Sequence, residues 1–302
     1  MLPGRPAQAV RLRPRARALV VLFALMSAGL VAGTGAQSPR SDVSATLELV
    51  GERVEAWYAR AQSLVSLESG SIEPLRGDLT SADVPRRLTY ELRVAWEAPA
   101  ADAGGLPEAS VVRELLTVHG RAPRAKDEPQ CLDPKGVSPE PLNMLLPGKR
   151  EEYSFSRAGT TRVEGRTALM LDYRSIAPGQ ADITWDKDCV SISLPGRSRG
   201  RVWIDAETYD VLRLDEHLVG MFDFDVPREH RKPGVPRYMT VERADSSIRY
   251  KRVAFQDPEE TLMLPSVIDT VTIVRSGSAQ RYRVTQRFSG YRRFLTGGRI
   301  VD

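Results

Sequence analysis

The chain has 302 residues, with 43 lysines and arginines against 39 aspartates and glutamates. Five of the arginines fall in the first 36 residues, which hold no acid, so residues 37–302 carry 38 basic and 39 acidic side chains and lack the basic footprint of a nucleic-acid binder. Two cysteines and three histidines, with no CxxC, HxxxH or HxH, are too few and too scattered for a structural zinc site.

In chain order, Arg5, Arg11, Arg13, Arg15 and Arg17 precede an apolar run from Ala18 to Ala32, and GTGAQS follows with small residues at Thr34 and Ala36. This is a charged n-region, an apolar h-region and a cleavage site, and it predicts a signal peptide over residues 1–36. The apolar run is shorter than the roughly 20 residues that span a bilayer, which favours cleavage over a retained anchor. Residues 37–302 then form a single β-rich exported domain, with an insertion at 98–150 and no transmembrane anchor after cleavage. In an oxidising compartment the pair Cys131 and Cys189 reads as a disulfide, with two unrelated buried thiols as the alternative.

From Ser44 to Leu67, Leu47, Val50, Val54, Tyr58, Ala61 and Val65 recur at three- and four-residue steps, predicting one long amphipathic helix. RRLTYELRVAWEA then alternates, with Leu88, Tyr90, Leu92, Val94 and Trp96 on one side and charged or polar residues on the other, as a half-buried antiparallel strand does. SVVRELLTVHG is a second strand, and SPEPLNMLLP predicts a short helix capped by Ser138 with Pro139 at its first position. Further strands are expected around EEYSFSRAG, TTRVEG, TALMLDYRSI, ITWDKDCVSISL, RGRVWID, DVLRLDEHLV, SIRYKRVAFQ, MLPSVIDTVTIVRS and QRYRVTQRFSGY, with a long polar loop over FDFDVPREHRKPGVPR. Almost no helices intervene, which excludes a βαβ-based parallel sheet. The fold class is mainly β (α+β): a strongly curved antiparallel sheet or incomplete β-barrel of about ten strands.

No catalytic or cofactor motif stands out. GRVWIDAETYDVLRLDEH, Gly200–His217, carries five carboxylates, but Asp205 and Asp210 flank a four-residue turn where Asp side chains bond backbone N–H groups, and the rest fit a wet strand face. Gly196-Arg197-Ser198-Arg199-Gly200 matches GxSxG, yet a nucleophile elbow needs a strand turning into a helix, and here a strand follows. Asp223, Asp225, Glu229 and His230 gather in the long loop without the spacing of a calcium site. No catalytic residue, cofactor or metal is therefore assigned.

The C-terminal segment from Arg275 to Val301 has seven arginines and no acid. Arg281, Arg283 and Arg287 share one strand face, and Arg292 and Arg293 follow. They form a candidate surface for anionic headgroups, acidic glycans or an acidic envelope partner. The competing expectation is a solvated face neutralised by acids on the neighbouring strands.

The helix LELVGERVEAWYARAQSL, the strand LTYELRVAW and the hairpin GRVWIDAETYDVLRLD, in this order after an export signal, resemble the bacterial periplasmic lipoprotein carriers of the LolA/LolB type. The tail QRFSGYRRF is similar to tails of uncharacterised exported bacterial proteins. The resemblance implies a curved sheet with the helix packed on its concave face around an apolar cavity for acyl chains. One helix cannot fill a ten-strand half-barrel, so Leu47, Val50, Val54, Trp57 and Tyr58 become a candidate lid, and Leu88, Tyr90, Leu92, Val94 and Trp96 a candidate pocket wall. Ordinary core packing explains the same ten residues. The expected role is a non-enzymatic exported, periplasmic or extracellular, binding protein for a lipid, lipoprotein or other amphiphile. The alternative is an envelope interaction module acting through the arginine face. A hydrolase stands a distant third.

Overall fold

The computed structural model describes residues 39–61, 63–97, 108–127, 129–134, 142–187, 189–231, 236–256 and 258–293. The signal peptide read over 1–36, the helix cap at Ser138 and Pro139, and part of the insertion read at 98–150 lie outside them.

A long helix α1 (Pro39–Arg60) precedes β1 (Ser63–Pro74), β2 (Arg86–Glu97) and β3 (Glu108–Val118). After a short helix α2 (Pro147–Arg150) come β4 (Tyr153–Val163), β5 (Arg166–Ser175), β6 (Asp182–Asp186), β7 (Cys189–Ser193), β8 (Ser198–Asp205) and β9 (Val211–Leu218). β10 (Phe222–Asp225), β11 (Tyr238–Gln256), β12 (Glu259–Ser276) and β13 (Ser278–Arg293) complete the chain. Eleven strands form one antiparallel sheet in the order β3-β2-β1-β13-β12-β11-β9-β8-β5-β4, with β10 beside β11, and its ends do not meet. Among the described residues β6 and β7 pair only with each other.

The helix ends at Arg60, and Ser63–Leu67, expected as helix, begin a strand. Three further differences lie later. EEYSFSRAG and TTRVEG are one strand, β4, and ITWDKDCVSISL is a hairpin turning at Lys187, whose φ of 52° is a left-handed turn conformation. The long polar loop holds a short strand, β10.

α1 packs on the concave face. Its C-terminal turns place Tyr58 edge-on to Trp96 of β2 at 4.8 Å, while its start forms an Asp42–Arg157 ion pair with β4. Those two strands are eight steps apart in the sheet, about 38 Å if flat, whereas sixteen helical residues span about 24 Å. One helix can reach both only because the sheet curls. Val50, Val54, Trp57, Tyr58 and Ala61 bury against Leu64, Leu92, Val202, Ile204, Leu214 and Leu264. Each large apolar side chain so buried contributes about 1.5–3 kcal/mol. The Trp57 indole Nε1 also donates to the Met263 carbonyl at 2.7 Å, tying α1 to β12. Leu142, Met144, Leu145 and Leu146, ahead of β4 in the chain, join this core.

β11, β12 and β13 run 19, 18 and 16 residues, far longer than the 8 residues of β8 or β9. A helix about 10–12 Å across cannot cover strands of about 50–60 Å. The far half of the concave face is therefore left to another element.

Candidate functional site: a cavity under the hairpin

That element is the β6–β7 hairpin. Trp185 pairs with Val190 and Ile183 with Ile192, which puts these four apolar side chains on one face of the ribbon. Trp185, Val190, Ile192 and Leu194 are only half-buried, because between them and the sheet lies a cavity of about 760 Å³. Ile72, Val241, Ala244, Thr272, Val274 and Tyr282 supply its floor, from the far ends of the long strands and of β1. Gln130, His230, Ser276, Gln280 and the exposed Val84 stand at its polar and open margins. The volume falls in the range that holds a drug-sized molecule or an acyl chain, and the wall is chiefly apolar.

Three ties hold this roof. Cys131 and Cys189 form a disulfide across 58 residues of sequence. Cys131 belongs to a strap, residues 129–134, whose Asp133 takes a two-pronged bond from Arg86 of β2, Nε at 3.0 Å and Nη2 at 2.9 Å. Leu132 of the same strap packs on Ile72, Leu88, Tyr90 and Val118. At the other side Trp185 stacks on His230, ring centres 4.5 Å apart and 12° from parallel. The hairpin joins the sheet through Pro178-Gly179 and Pro195-Gly196, where the Gly179 N–H donates to the Pro195 carbonyl at 2.9 Å.

A buried charge separates the two halves of the concave face. Glu68, midway along β1, has no exposed surface; Arg113 Nε reaches it at 2.7 Å and Gln286 Nε2 at 2.7 Å. On one side lies the α1 core and on the other Ile72 and the cavity. Burial, with the charges of Asp133 and Glu68 nearby, pushes the Tyr90 hydroxyl up to about 12.

The ten residues named from sequence fall outside this cavity's wall. Val50, Val54, Trp57, Tyr58, Leu92, Val94 and Trp96 pack together in the α1 core, with Leu47 half-buried against them. Leu88 and Tyr90 sit in the small cluster with Ile72 and Val118. The cavity residues that sequence reasoning passed over carried a signal: ITW and VSISL each alternate, and Lys187 between them takes a left-handed turn conformation.

The acid-rich hairpin Gly200–His217 joins β8 to β9 and is drier than expected. Asp205 is 3 % and Asp210 6 % exposed. Burial pushes the Asp205 carboxyl up, but N–H groups of Thr208 and Glu207 and the Arg166 guanidinium more than offset it, leaving it below its ordinary value. Asp210 accepts from Arg53 of α1 at 2.5 Å, so the turn anchors the helix. Glu216 also points inward; burial raises its carboxyl above the ordinary value, only partly relieved by bonds from Tyr173 and Ser198. The same burial, with the Glu216 charge beside it, raises the Tyr173 hydroxyl.

The GxSxG serine opens β8, its Oγ 3.2 Å from that of Ser175. His217 pairs with Asp245 at 2.9 Å, but it lies opposite Arg199, one residue off Ser198 and so on the other face of the sheet. The three do not converge as a triad. Both glycines have structural causes: a Cβ on Gly196, at φ 69°, would lie 2.1 Å from the Ala177 carbonyl oxygen, and one on Gly200 would lie 1.9 Å from that of Asp215. In β10, Asp223 accepts from Thr240 at 2.5 Å and Asp225 faces Arg237 at 3.4 Å.

Four of the five arginines of the C-terminal face have individual partners. Arg283 meets Glu73 at 3.1 Å, Arg292 meets Glu91 at 2.8 Å, Arg293 pairs with Glu260, and Arg281 donates to the Ala279 carbonyl at 3.3 Å. Among the described residues no helix is long and apolar enough to cross a membrane.

No family model matches the chain, and no curated protein matches it. Among solved structures it is similar to a DUF1329 family protein from Desulfovibrio piger, 10 % identical over 85 % of this chain and 95 % of that one, TM-score 0.40. It is also similar to a putative outer membrane lipoprotein-sorting protein domain from Vibrio parahaemolyticus, 14 % identical over 84 % and 94 %, TM-score 0.35. A third is a LolA superfamily protein from Nitrosomonas europaea, 10 % identical over 84 % and 94 %, TM-score 0.32.

Proposed function

We propose that this chain is a non-enzymatic exported binding protein, delivered by the signal peptide at residues 1–36, whose ligand is a lipid, lipoprotein acyl chain or similar amphiphile held under the β6–β7 hairpin. The observation that carries this reading is the cavity of about 760 Å³ between an apolar sheet floor and an apolar hairpin roof. A ribbon that among the described residues pairs with no strand of the main sheet, and whose apolar face stays half-buried, leaves room that a ligand's apolar part would fill. Its charged wall residue Arg86 is already matched by Asp133, so the chamber suits an uncharged chain, with a polar head at the Gln130, Gln280 and His230 margin.

The test is to denature protein purified from its native compartment, extract it with organic solvent and identify any stoichiometric amphiphile by mass spectrometry. The stripped protein is then titrated with N-phenyl-1-naphthylamine. The probe should bind with enhanced fluorescence, and Ala244→Trp, which places an indole in the cavity, should abolish that signal while leaving the unfolding curve intact. Binding unaffected by Ala244→Trp, or no binding by the stripped protein, would sink the proposal.

A further inference from the structure

The convex face carries a second hollow, of about 410 Å³, whose lining includes serine, threonine and arginine side chains in place of the cavity's large apolar wall. Ser69 and Ser71 of β1 form its floor, Thr89 and Thr285 line it from the strands on either side, and Arg87 and Arg287 rise over it. Register fixes the arrangement. Ser71 lies opposite Arg87 on β2, and Ser69 lies opposite Arg287 on β13, so the two arginines flank β1 from opposite sides, two residues apart along it. His119, whose backbone N–H is held by the Arg87 carbonyl at 2.8 Å, closes one end.

These two guanidiniums differ from their neighbours. The carboxylates nearby on the same face have other partners: Glu73 with Arg283, Glu91 with Arg93 and Arg292, and Asp269 with Arg249 and with the hydroxyl of Thr285 at the hollow's edge. Among the described residues neither Arg87 nor Arg287 has a carboxylate partner, and both are exposed. Two unneutralised forks of N–H donors over a floor of hydroxyls match an oxyanion, which accepts several charge-assisted hydrogen bonds at once.

We infer that this hollow is a binding site for a phosphate group, separate from the amphiphile cavity and on the opposite face of the sheet. The group can come from free phosphate or from the headgroup of an anionic phospholipid, and both are bound by the same four side-chain types. If the headgroup is the source, the convex face is the one turned to the membrane.

The experiment compares the protein as purified with Arg87→Ala/Arg287→Ala and with Arg124→Ala/Arg162→Ala, which removes the same charge from exposed positions elsewhere. Inorganic phosphate is titrated calorimetrically, and vesicles of phosphatidylglycerol or of phosphatidylcholine are co-sedimented, with unfolding curves to confirm that each variant is folded. Saturable phosphate binding, weakened about tenfold or more in Arg87→Ala/Arg287→Ala and kept in the control, supports the site with free phosphate as ligand. Selective sedimentation with phosphatidylglycerol that follows the same variant pattern, without binding of free phosphate, supports it with the headgroup as ligand. Binding of neither probe, or equal loss in both double variants, overturns the inference.

Discussion

Reduction of the Cys131–Cys189 disulfide tests how the roof of the cavity is held. Cys131 is exposed and Cys189 half-buried, so the bridge contributes through the chain it closes rather than through packing. A closed loop of 58 residues restricts the unfolded chain by about 4 kcal/mol in the loop-entropy account. With an m-value of about 2–3 kcal/mol/M, the urea midpoint should fall by about 1.5–2 M on reduction or in Cys131→Ser/Cys189→Ser. That full loss requires the hairpin to stay seated through the Trp185–His230 stack and the Arg86–Asp133 pair, which survive reduction. If instead the hairpin lifts, the native state regains freedom, the loss shrinks, and the exposed Lys187 at its tip becomes a trypsin site. Unfolding followed by tryptophan fluorescence and limited trypsinolysis with mass mapping give both readings. A midpoint unchanged within about 0.3 M together with undiminished protection at Lys187 would refute the idea that the bridge matters to either state.

Three other outcomes follow from particular contacts. Because burial raises the Glu216 carboxyl, its folded state holds a proton that the unfolded chain releases nearer the ordinary value of 4.5, so its contribution is fully present below that pH and is lost as pH rises through the higher folded value. Glu216→Gln should thus gain stability relative to wild type as pH climbs from 4 to 8, measured by urea unfolding at each pH; parallel profiles would contradict the assignment. Gly200→Ala would drive a methyl into the Asp215 carbonyl and the Tyr173 hydroxyl, 1.9 and 2.7 Å from the ideal Cβ, and should cost about 3 kcal/mol or more by the same assay. Ser198→Ala, between the two motif glycines, is the contrasting variant and should cost far less. Trp57→Phe leaves the buried Met263 carbonyl without its donor and shrinks the ring, for about 1–3 kcal/mol, and loss of less than about 0.5 kcal/mol would show that α1 is not fastened there.

What the sequence revealed followed how local the cause was. β2 was legible because Leu88, Tyr90, Leu92, Val94 and Trp96 are apolar at every inward position. β1 was not, because its inward positions Ser66, Glu68 and Gly70 are polar or small, and the alternation that marks a strand is missing from its hydrophobicity. Glu68 can sit there only because Arg113 and Gln286 arrive from positions 45 and 218 residues away, a pairing that no window of sequence contains. The helix pattern accordingly ran on through Val65, which satisfies both periods. Glu216 was available to the same logic, since it shares parity with Leu212 and Leu214, but a carboxylate reads as wet unless its strand neighbours are known. The cavity failed to show for a related reason. A period-two ribbon announces one apolar face and is silent on what that face covers, and here the answer was set by strand length. β11–β13 outrun the helix, so the uncovered floor and the unpaired apolar hairpin face one another, and the hairpin is tied to the strap at residues 129–134 by a disulfide whose two ends were visible from the start.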